Sequence, residues 1–385
     1  MCGWLAMIIR QKAFVLFLGC VLLTSLFMIL IPARRHRSLK TLVQETQDTI
    51  LNLRENIISA GENLDTGRVS LQPDSQYLTQ LGLVPSSYSS NSEENTDELL
   101  VVSGVEPGTA NLVPGFVRSL AQHQPDASIL IYDLGASRYE KELMNKICNS
   151  SLCTITEFEF SLWPNHVKDF KLKAYRPIGV QLALKEKNLV LWLDIDYRLN
   201  TNDLSSWLRK VKEYGVVAWS QDPLTKDGLK SEKLGATPTT SLTHPRMFEY
   251  FPHVKKEDFE FQHMVSGECL LFSSVFPSSS PSPSPSSLSP LASGLILPWI
   301  KCVLIEDCIN PIGAQSTGCR FDKKPQYRYS GCHSYDVSAL NIVLGSMFQF
   351  RESRYLSQVP FFQRINLEES IQSSPYLNIS DYGLA

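Results

Sequence analysis

Apolar and polar positions follow two alternating patterns along residues 98–365. Short apolar runs typical of buried strands, including "ELLVVSGV", "ASILIYDLG" and "NLVLWLDID", alternate with segments of helical apolar spacing, including "NLVPGFVRSLAQHQ", "SRYEKELMNKIC" and "YRPIGVQLALKEK". This alternation predicts an α/β domain with a mostly parallel sheet and helices on both faces. Ligands of such sheets bind beyond the carboxyl ends of the strands.

A serine- and proline-rich tract interrupts this pattern at residues 277–293, "PSSSPSPSPSSLSPLAS". Such a composition cannot build a core and is typical of disordered or extended chain. The tract directly follows the strand candidate "GECLLFSSVF", and apolar periodicity resumes in "LPWIKCVLIEDCINP". We therefore predict an insertion in a surface loop of one domain; the alternative is a hinge between two domains.

A long uncharged apolar run lies near the N-terminus, at residues 13–31. A helix rises about 1.5 Å per residue, so this run is long enough to cross the hydrocarbon core of a bilayer. Basic residues flank the run on both sides, and Pro32 follows it. We predict a short tail at 1–12 and an uncleaved membrane anchor at 13–31. The alternative is a cleaved signal peptide, whose apolar region is usually shorter.

Residues 32–97 have the pattern of a stem between the anchor and the α/β domain. Apolar residues recur at heptad spacing from Leu39 to Leu64, which is typical of a coiled coil and would allow a homodimer through the stem. A single amphipathic helix is the alternative. The polar stretch "PSSYSSNSEENTDE" that follows predicts a flexible connection. Residues 366–385 are predicted to form a C-terminal tail.

Charge and cysteine spacing bear on the class of protein and its compartment. A net charge of −3 argues against a general nucleic-acid binder. Basic residues after the apolar run favour a cytoplasmic body, but close cysteine pairs favour disulfides in an oxidising lumen. We expect a luminal body with Cys269 left unpaired; metal binding by the cysteines is the alternative. The cysteines of the body are Cys148, Cys153, Cys269, Cys302, Cys308, Cys319 and Cys332.

Two carboxylates end the most apolar strand candidate, in "LVLWLDIDYRL". In an extended segment, Asp194 and Asp196 project to the same side and can converge on one cation. Their oxygens suit Mn²⁺ or Mg²⁺, which would neutralise the charge of a diphosphate leaving group. One alternative is that both side chains accept hydrogen bonds from turn and helix-start N–H groups. A phosphatase-type motif is disfavoured because Tyr197 and Arg198 follow the second carboxylate.

The segment "KAYRPIGVQLALKEKNLVLWLDIDYRL" resembles GT-A-fold glycosyltransferases, in which a helix leads into an apolar strand that ends in a metal-binding D-x-D. Residues 98–365 are also similar to an animal family of GT-A-like type II membrane proteins of unassigned activity. That likeness lies in "LWLDIDYRL", "VVSGVEPGTANL" and "INPIGAQSTGCRFDKKPQYRYSGCHSYDVSALNIVL". The resemblance implies a nucleotide-sugar donor, by association UDP-linked, and a divalent cation held by Asp194 and Asp196.

The same resemblance gives expectations for the nucleotide. Val102, Ser103 and Gly104 occupy the place where GT-A folds hold the nucleotide base. Lys173 and Arg176 precede the D-x-D strand, and their charges could meet the diphosphate, together with the cation at Asp194. An ordinary surface position is the alternative for both basic residues.

The acceptor side and the rest of the metal shell are expected from two later segments. In "GCHSYDVSALN", Asp336 occupies the place of an acidic residue near the acceptor, with helix N-capping as its alternative. His333 could complete the metal shell, or be a buried structural histidine beside Cys332. Glu268 in "SGECLLF" is a second candidate for an acceptor-side carboxylate.

Anchor, stem and luminal domain in this order are typical of a Golgi type II glycosyltransferase, with the endoplasmic reticulum membrane as the alternative compartment. The leading prediction is a metal-dependent enzyme that transfers sugar to a glycan, protein or lipid acceptor. The alternative is a non-catalytic membrane-anchored protein that keeps the fold and binds glycans or partner enzymes.

Overall fold

A seven-stranded sheet organises the computed structural model. The structure describes residues 70–84, 98–149, 151–220, 237–275, 288–322, 324–357 and 361–365. The predicted anchor, the heptad segment and the C-terminal tail lie outside these residues. None of the helices in the described ranges is both long and apolar enough to span a bilayer.

Strands of the described residues form one large sheet and a small two-stranded ribbon. The large sheet has the order β3-β2-β1-β4-β7-β6-β8, and β5 pairs with β9. Neighbours are parallel except at β7, which runs antiparallel to both β4 and β6. This confirms the mostly parallel sheet. The strands are β1 (Leu99–Val105), β2 (Ser128–Asp133), β3 (Cys153–Glu157), β4 (Leu189–Leu193), β5 (Tyr197–Leu199), β6 (Val216–Ser220), β7 (Val265–Ser273), β8 (Leu356–Ser357) and β9 (Phe362–Arg364).

Helices cover both faces of the sheet, as the alternating pattern predicts. Side chains of α4, α6 and α8 share one apolar core with one face, and those of α2 and α5 share a second core with the other. The α-helices of the described residues are α1 (Ser75–Gln80), α2 (Val113–His123), α3 (Arg138–Ile147), α4 (Tyr175–Glu186), α5 (Ser205–Tyr214), α6 (Leu297–Val303), α7 (Glu306–Ile309) and α8 (Tyr335–Phe348).

Strand β4 lies in the middle of the sheet and is buried throughout. Val190 and Trp192 point into one core, whereas Leu189, Leu191 and Leu193 point into the other. Successive side chains of a strand face opposite sides, so a strand covered on both sides must be apolar at every position. The continuous apolar run therefore ends where the strand leaves the core, directly before Asp194.

The domain begins earlier than predicted. The prediction assigned residues 32–97 to the stem, but residues 70–84 pack on the sheet domain. Leu81 and Leu83 are buried in the core that α4 shares, and the Leu81 carbonyl accepts a hydrogen bond of 2.9 Å from Gln181 Nε2. Two leucines separated by one glycine carry too little periodicity to reveal this packing in the sequence.

The predicted bounds of the serine- and proline-rich insertion are wrong at its C-terminal side. Leu291 is 1% exposed, and Ala292–Ile296 forms a π-helical turn that continues into α6. The last residues of the predicted tract, from position 288, therefore belong to the folded domain, because Leu288 and Leu291 pack against its apolar core.

Three disulfides link the close cysteine pairs, which confirms the prediction of disulfides over metal binding. Their bonds are Cys148–Cys153, Cys302–Cys308 and Cys319–Cys332. Cys269 is free and buried, and burial raises the pKa of its thiol, so it is inert in the folded protein.

Candidate functional site

The two aspartates of the D-x-D lie in a tight turn rather than in extended chain. Tyr197 N donates a hydrogen bond of 2.9 Å to the Asp194 carbonyl, which closes a four-residue turn between β4 and β5. The expectation that both side chains project to one side of an extended segment is therefore wrong. Asp194 stays tied to the sheet, because its N–H donates to the Glu268 carbonyl on β7 at 2.8 Å.

A buried arginine holds the first aspartate. Arg176, in the first turn of α4, contacts Asp194 Oδ2 at 3.3 Å and Asp336 Oδ2 at 2.8 Å. The other oxygen of Asp194 accepts a bond of 2.7 Å from Trp192 Nε1. The side chain of Arg176 is only 3% exposed. Its guanidinium therefore orients Asp194 from inside the protein, and the structure does not place it at the surface to meet a diphosphate.

Asp336 lies near the start of α8, where its carboxylate faces Arg176 instead of capping the helix. With 2% of the side chain exposed, it cannot touch an acceptor in this arrangement. Burial raises its pKa to about 7; Arg176 opposes the rise, and the charges of Asp194 and Glu268 add to it. The pKa stays raised because the burial of the carboxyl outweighs the attraction of Arg176.

Folding stability is expected to depend on pH through Asp336. The unfolded carboxyl has a pKa near 3.9, so between about pH 4 and pH 7 the folded state binds more protons and stability falls as pH rises. Urea unfolding at pH 5 to 8 should therefore show the wild type losing stability relative to Asp336→Asn. Asp322→Asn, at an exposed position, is the control and should follow the wild type. Parallel pH dependence of wild type and Asp336→Asn would contradict the assignment.

The second aspartate contacts a different arginine. Asp196 Oδ2 accepts a hydrogen bond of 2.7 Å from Arg364 Nε, on the distant strand β9. The side chain of Asp196 is 23% exposed and that of Arg364 is 58% exposed. The D-x-D thus has one carboxylate fixed from the interior and one at the solvent edge.

Glu268, on β7, is the fourth carboxylate at this place, beside Asp194, Asp196 and Asp336. We call these four side chains the carboxylate cluster. The charge of Glu268 acts on Arg176, Asp336 and Arg364. Its Oε2 is buried and has no hydrogen-bond partner among the described residues. A buried oxygen without a partner is costly and marks a place where a ligand or ion can be accommodated.

The cluster suits a divalent cation in charge and in ligand type. The two arginines cannot neutralise the four carboxylates of Asp194, Asp196, Glu268 and Asp336, and oxygen ligands are those that Mn²⁺ and Mg²⁺ prefer. No three His, Cys, Asp or Glu side chains of the described ranges are gathered as a ready ligand cage. A cation at Asp194 and Asp196 would therefore take further ligands from a bound anion or water.

Lys173 lies at the rim of this cluster and contacts a residue that the sequence did not indicate. Its Nζ donates to Glu106 Oε1, which also accepts from Tyr175 OH at 2.7 Å. Lys173 has a φ of 52°, an uncommon value for a residue with a side chain. Lys173 is the C-terminal cap of a short helical turn that precedes α4, and this turn places Arg176 in the first turn of α4.

The predicted base-binding residues lie within β1 rather than beyond it. Val102 and Ser103 are fully buried, and a Cβ on Gly104 would lie 3.0 Å from a Leu134 side-chain atom. The strand continues to Val105, so its carboxyl end falls at Glu106. These three positions are therefore not at the ligand-binding edge, because the strand is longer than the motif alone suggested.

His333 does not join the carboxylates. Its Nδ1 accepts a hydrogen bond of 3.1 Å from His244 N, and its Nε2 lies 3.0 Å from the Ile309 carbonyl. Burial lowers its pKa to about 3. Both ring nitrogens are thus used by the backbone, which favours the alternative interpretation, a buried structural histidine beside Cys332.

No protein-family model and no curated protein matches the chain. Among solved structures, two of the galactosyltransferase LgtC, an active-site mutant and a complex with donor and acceptor sugar analogues, each have 12% identity and a TM-score of 0.29. They match over 45% of this chain and 57% of theirs, so the chain spans little more than half the length of LgtC. The apo WbbM bifunctional glycosyltransferase has 12% identity and a TM-score of 0.37, over 69% of this chain and 39% of its own. At this distance, any functional assignment has to come from the side chains of the site.

Proposed function

We propose that this chain is a glycosyltransferase that transfers a sugar from a nucleoside-diphosphate donor to a glycan, protein or lipid acceptor. The observation that carries the proposal is the carboxylate cluster at the end of β4, with its surplus of negative charge and the buried, unpartnered Oε2 of Glu268. This cluster lies at the carboxyl end of a central parallel strand, where α/β sheets bind ligands.

Asp194 and Asp196 are the residues that would hold the divalent cation, Mn²⁺ or Mg²⁺. When bound, the cation supplies positive charge that stabilises a departing diphosphate. Asp194 is the better ordered ligand because Trp192 and Arg176 fix both of its oxygens. Asp336 acts through Arg176, so it is a positioning residue.

Glu268 is the remaining carboxylate that could face the acceptor. It lies on β7 beside Asp194, and it is partly exposed although its Oε2 is buried. A carboxylate at this position can accept the proton of an acceptor hydroxyl as the new glycosidic bond forms. Asp336 is unsuited to this role because it is enclosed by the protein.

The compartment is proposed from the covalent structure and the sequence together. Three disulfides are typical of an oxidising lumen, and Asn149, in an acceptor sequon, is exposed after α3. With the apolar run at 13–31, these features support a single-pass type II protein of the Golgi membrane with a luminal body. A stem homodimer remains part of this proposal.

Calorimetric titration of UDP into the full-length protein, with and without Mn²⁺, tests the function. We expect binding that requires Mn²⁺ and is lost in Asp194→Asn/Asp196→Asn, because the variant removes both proposed ligands. Asp203→Asn, an exposed loop aspartate whose carboxylate accepts from Ser205 N, is the matched control and should bind like the wild type.

Three other outcomes of the titration have defined meanings. Metal-dependent binding of GDP instead of UDP would change the donor and leave the enzyme class in place. Binding of CMP alone would contradict the nucleoside-diphosphate donor, because CMP carries a single phosphate. A folded wild type that binds none of these nucleotides would refute the proposed enzyme and favour a non-catalytic protein that retains the fold.

A further inference from the structure

The strand β9 brings a distant part of the chain to the D-x-D. It pairs antiparallel with β5, and Arg364 lies opposite Tyr197. Ile365 N donates a hydrogen bond of 2.8 Å to the carbonyl of Asp196, so the chain at the end of β9 is hydrogen-bonded to the D-x-D turn itself.

Aromatic packing holds β9 in place. The ring of Phe361 lies 4.4 Å from Trp207, and the ring of Phe362 lies 4.9 Å from Trp219 and 5.7 Å from Tyr197. Aromatic pairs at these separations add to the stabilisation from burial. The backbone at Arg364 is thus anchored independently of its own side chain.

One of the three nitrogens of the Arg364 guanidinium has a hydrogen-bond partner. Its Nε donates to Asp196 Oδ2, while its two terminal nitrogens have no hydrogen-bond partner among the described residues. More than half of the side chain is exposed. Asp196 therefore holds one edge of the group and leaves the two terminal nitrogens available to a ligand.

We propose that Arg364 binds the phosphate groups of the ligand, with Asp196 acting as the anchor that orients it. A guanidinium fork matches two phosphate oxygens in a bidentate contact. Arg176 cannot supply this contact because it is enclosed between two aspartates. Lys173, which also lies at the rim, is occupied by Glu106. The identity of the ligand as a nucleoside diphosphate rests on the proposed function, but the anion contact does not.

Binding of inorganic pyrophosphate, UDP and uridine to the full-length protein in the presence of Mn²⁺ tests this role. Arg364→Gln is expected to lower the affinity for pyrophosphate and for UDP by about tenfold or more, the effect of losing charge-assisted hydrogen bonds. Its affinity for uridine should be unchanged. Arg364→Lys should recover only part of the loss, because it keeps the charge without the fork. Arg138→Gln is the matched control, since Arg138 is also an exposed arginine paired with a carboxylate, Glu142.

The outcomes separate this inference from the proposed function. Equal pyrophosphate affinity of wild type and Arg364→Gln, with both folded by thermal melting, would overturn it. Equal losses of affinity for uridine and for pyrophosphate in Arg364→Gln would also overturn it, since they would indicate a structural role for Arg364. Pyrophosphate binding that depends on Arg364, in a protein that binds no nucleotide, would support the anion contact and refute the nucleotide-sugar donor.

Discussion

Replacing Arg176 by methionine is expected to lower the free energy of unfolding by about 3–5 kcal/mol, the usual cost of removing one partner from a buried ion pair. Asp336 is almost fully enclosed and Asp194 mostly so, and neither can gain enough water to replace the guanidinium. Urea unfolding followed by tryptophan fluorescence at pH 8 measures the loss. The loss should shrink at pH 5, where Asp336 takes up a proton.

A second substitution separates lost charge compensation from lost packing. Arg176→Met/Asp336→Leu removes the buried carboxylate together with its guanidinium partner and fills the space with apolar groups of similar size. Such an exchange often changes the free energy of unfolding little. The double variant should therefore recover part of the stability. Arg138→Met, at an exposed arginine, should stay within about 0.5 kcal/mol of the wild type. A single variant as stable as the wild type would show that Arg176 does not hold the carboxylates.

Much of the fold could be predicted from the sequence because it depends on local pattern. The run from Leu189 to Leu193 is apolar at every position, as a strand covered on both faces requires. The disulfides could be predicted equally well, since Cys148 and Cys153, like the other pairs, are close along the chain. The antiparallel direction of β7 left no such mark, because strand polarity depends on the path of the connecting chain.

The partners of the D-x-D could not be predicted because they are set by tertiary packing. Arg176 reaches Asp336 across 160 positions, and Arg364 reaches Asp196 across 168. Single charges at such separations carry no periodicity. The sequence reasoning therefore assigned a metal as the positive partner of both aspartates, whereas the structure also supplies two arginines, and it missed Glu106 and Arg364 altogether.

Gly267 explains how a fully buried guanidinium fits beside β7. A Cβ at this position would lie 2.1 Å from Arg176 Nη1 and 2.6 Å from Val337 Cγ2. Real Cβ atoms do not approach other atoms this closely, so the side chain of Arg176 can pass over the strand only where Cβ is absent. The restriction is one of space, since Gly267 lies in an extended strand and needs no unusual backbone angle.

Gly267→Ala is therefore expected to expel Arg176 from its place without altering any charged residue. Overpacking a closed core costs typically about 1–3 kcal/mol, and displacement of the guanidinium would leave Asp194 without its interior positive charge. Urea unfolding should show the loss, and Mn²⁺-dependent binding of UDP should weaken with it. Gly294→Ala is the matched control, because its Cβ would meet only the flexible Met347 side chain at 3.5 Å. If Gly267→Ala kept full stability and binding, Asp194 would not depend on Arg176, and the cluster would have to be oriented from β4 alone.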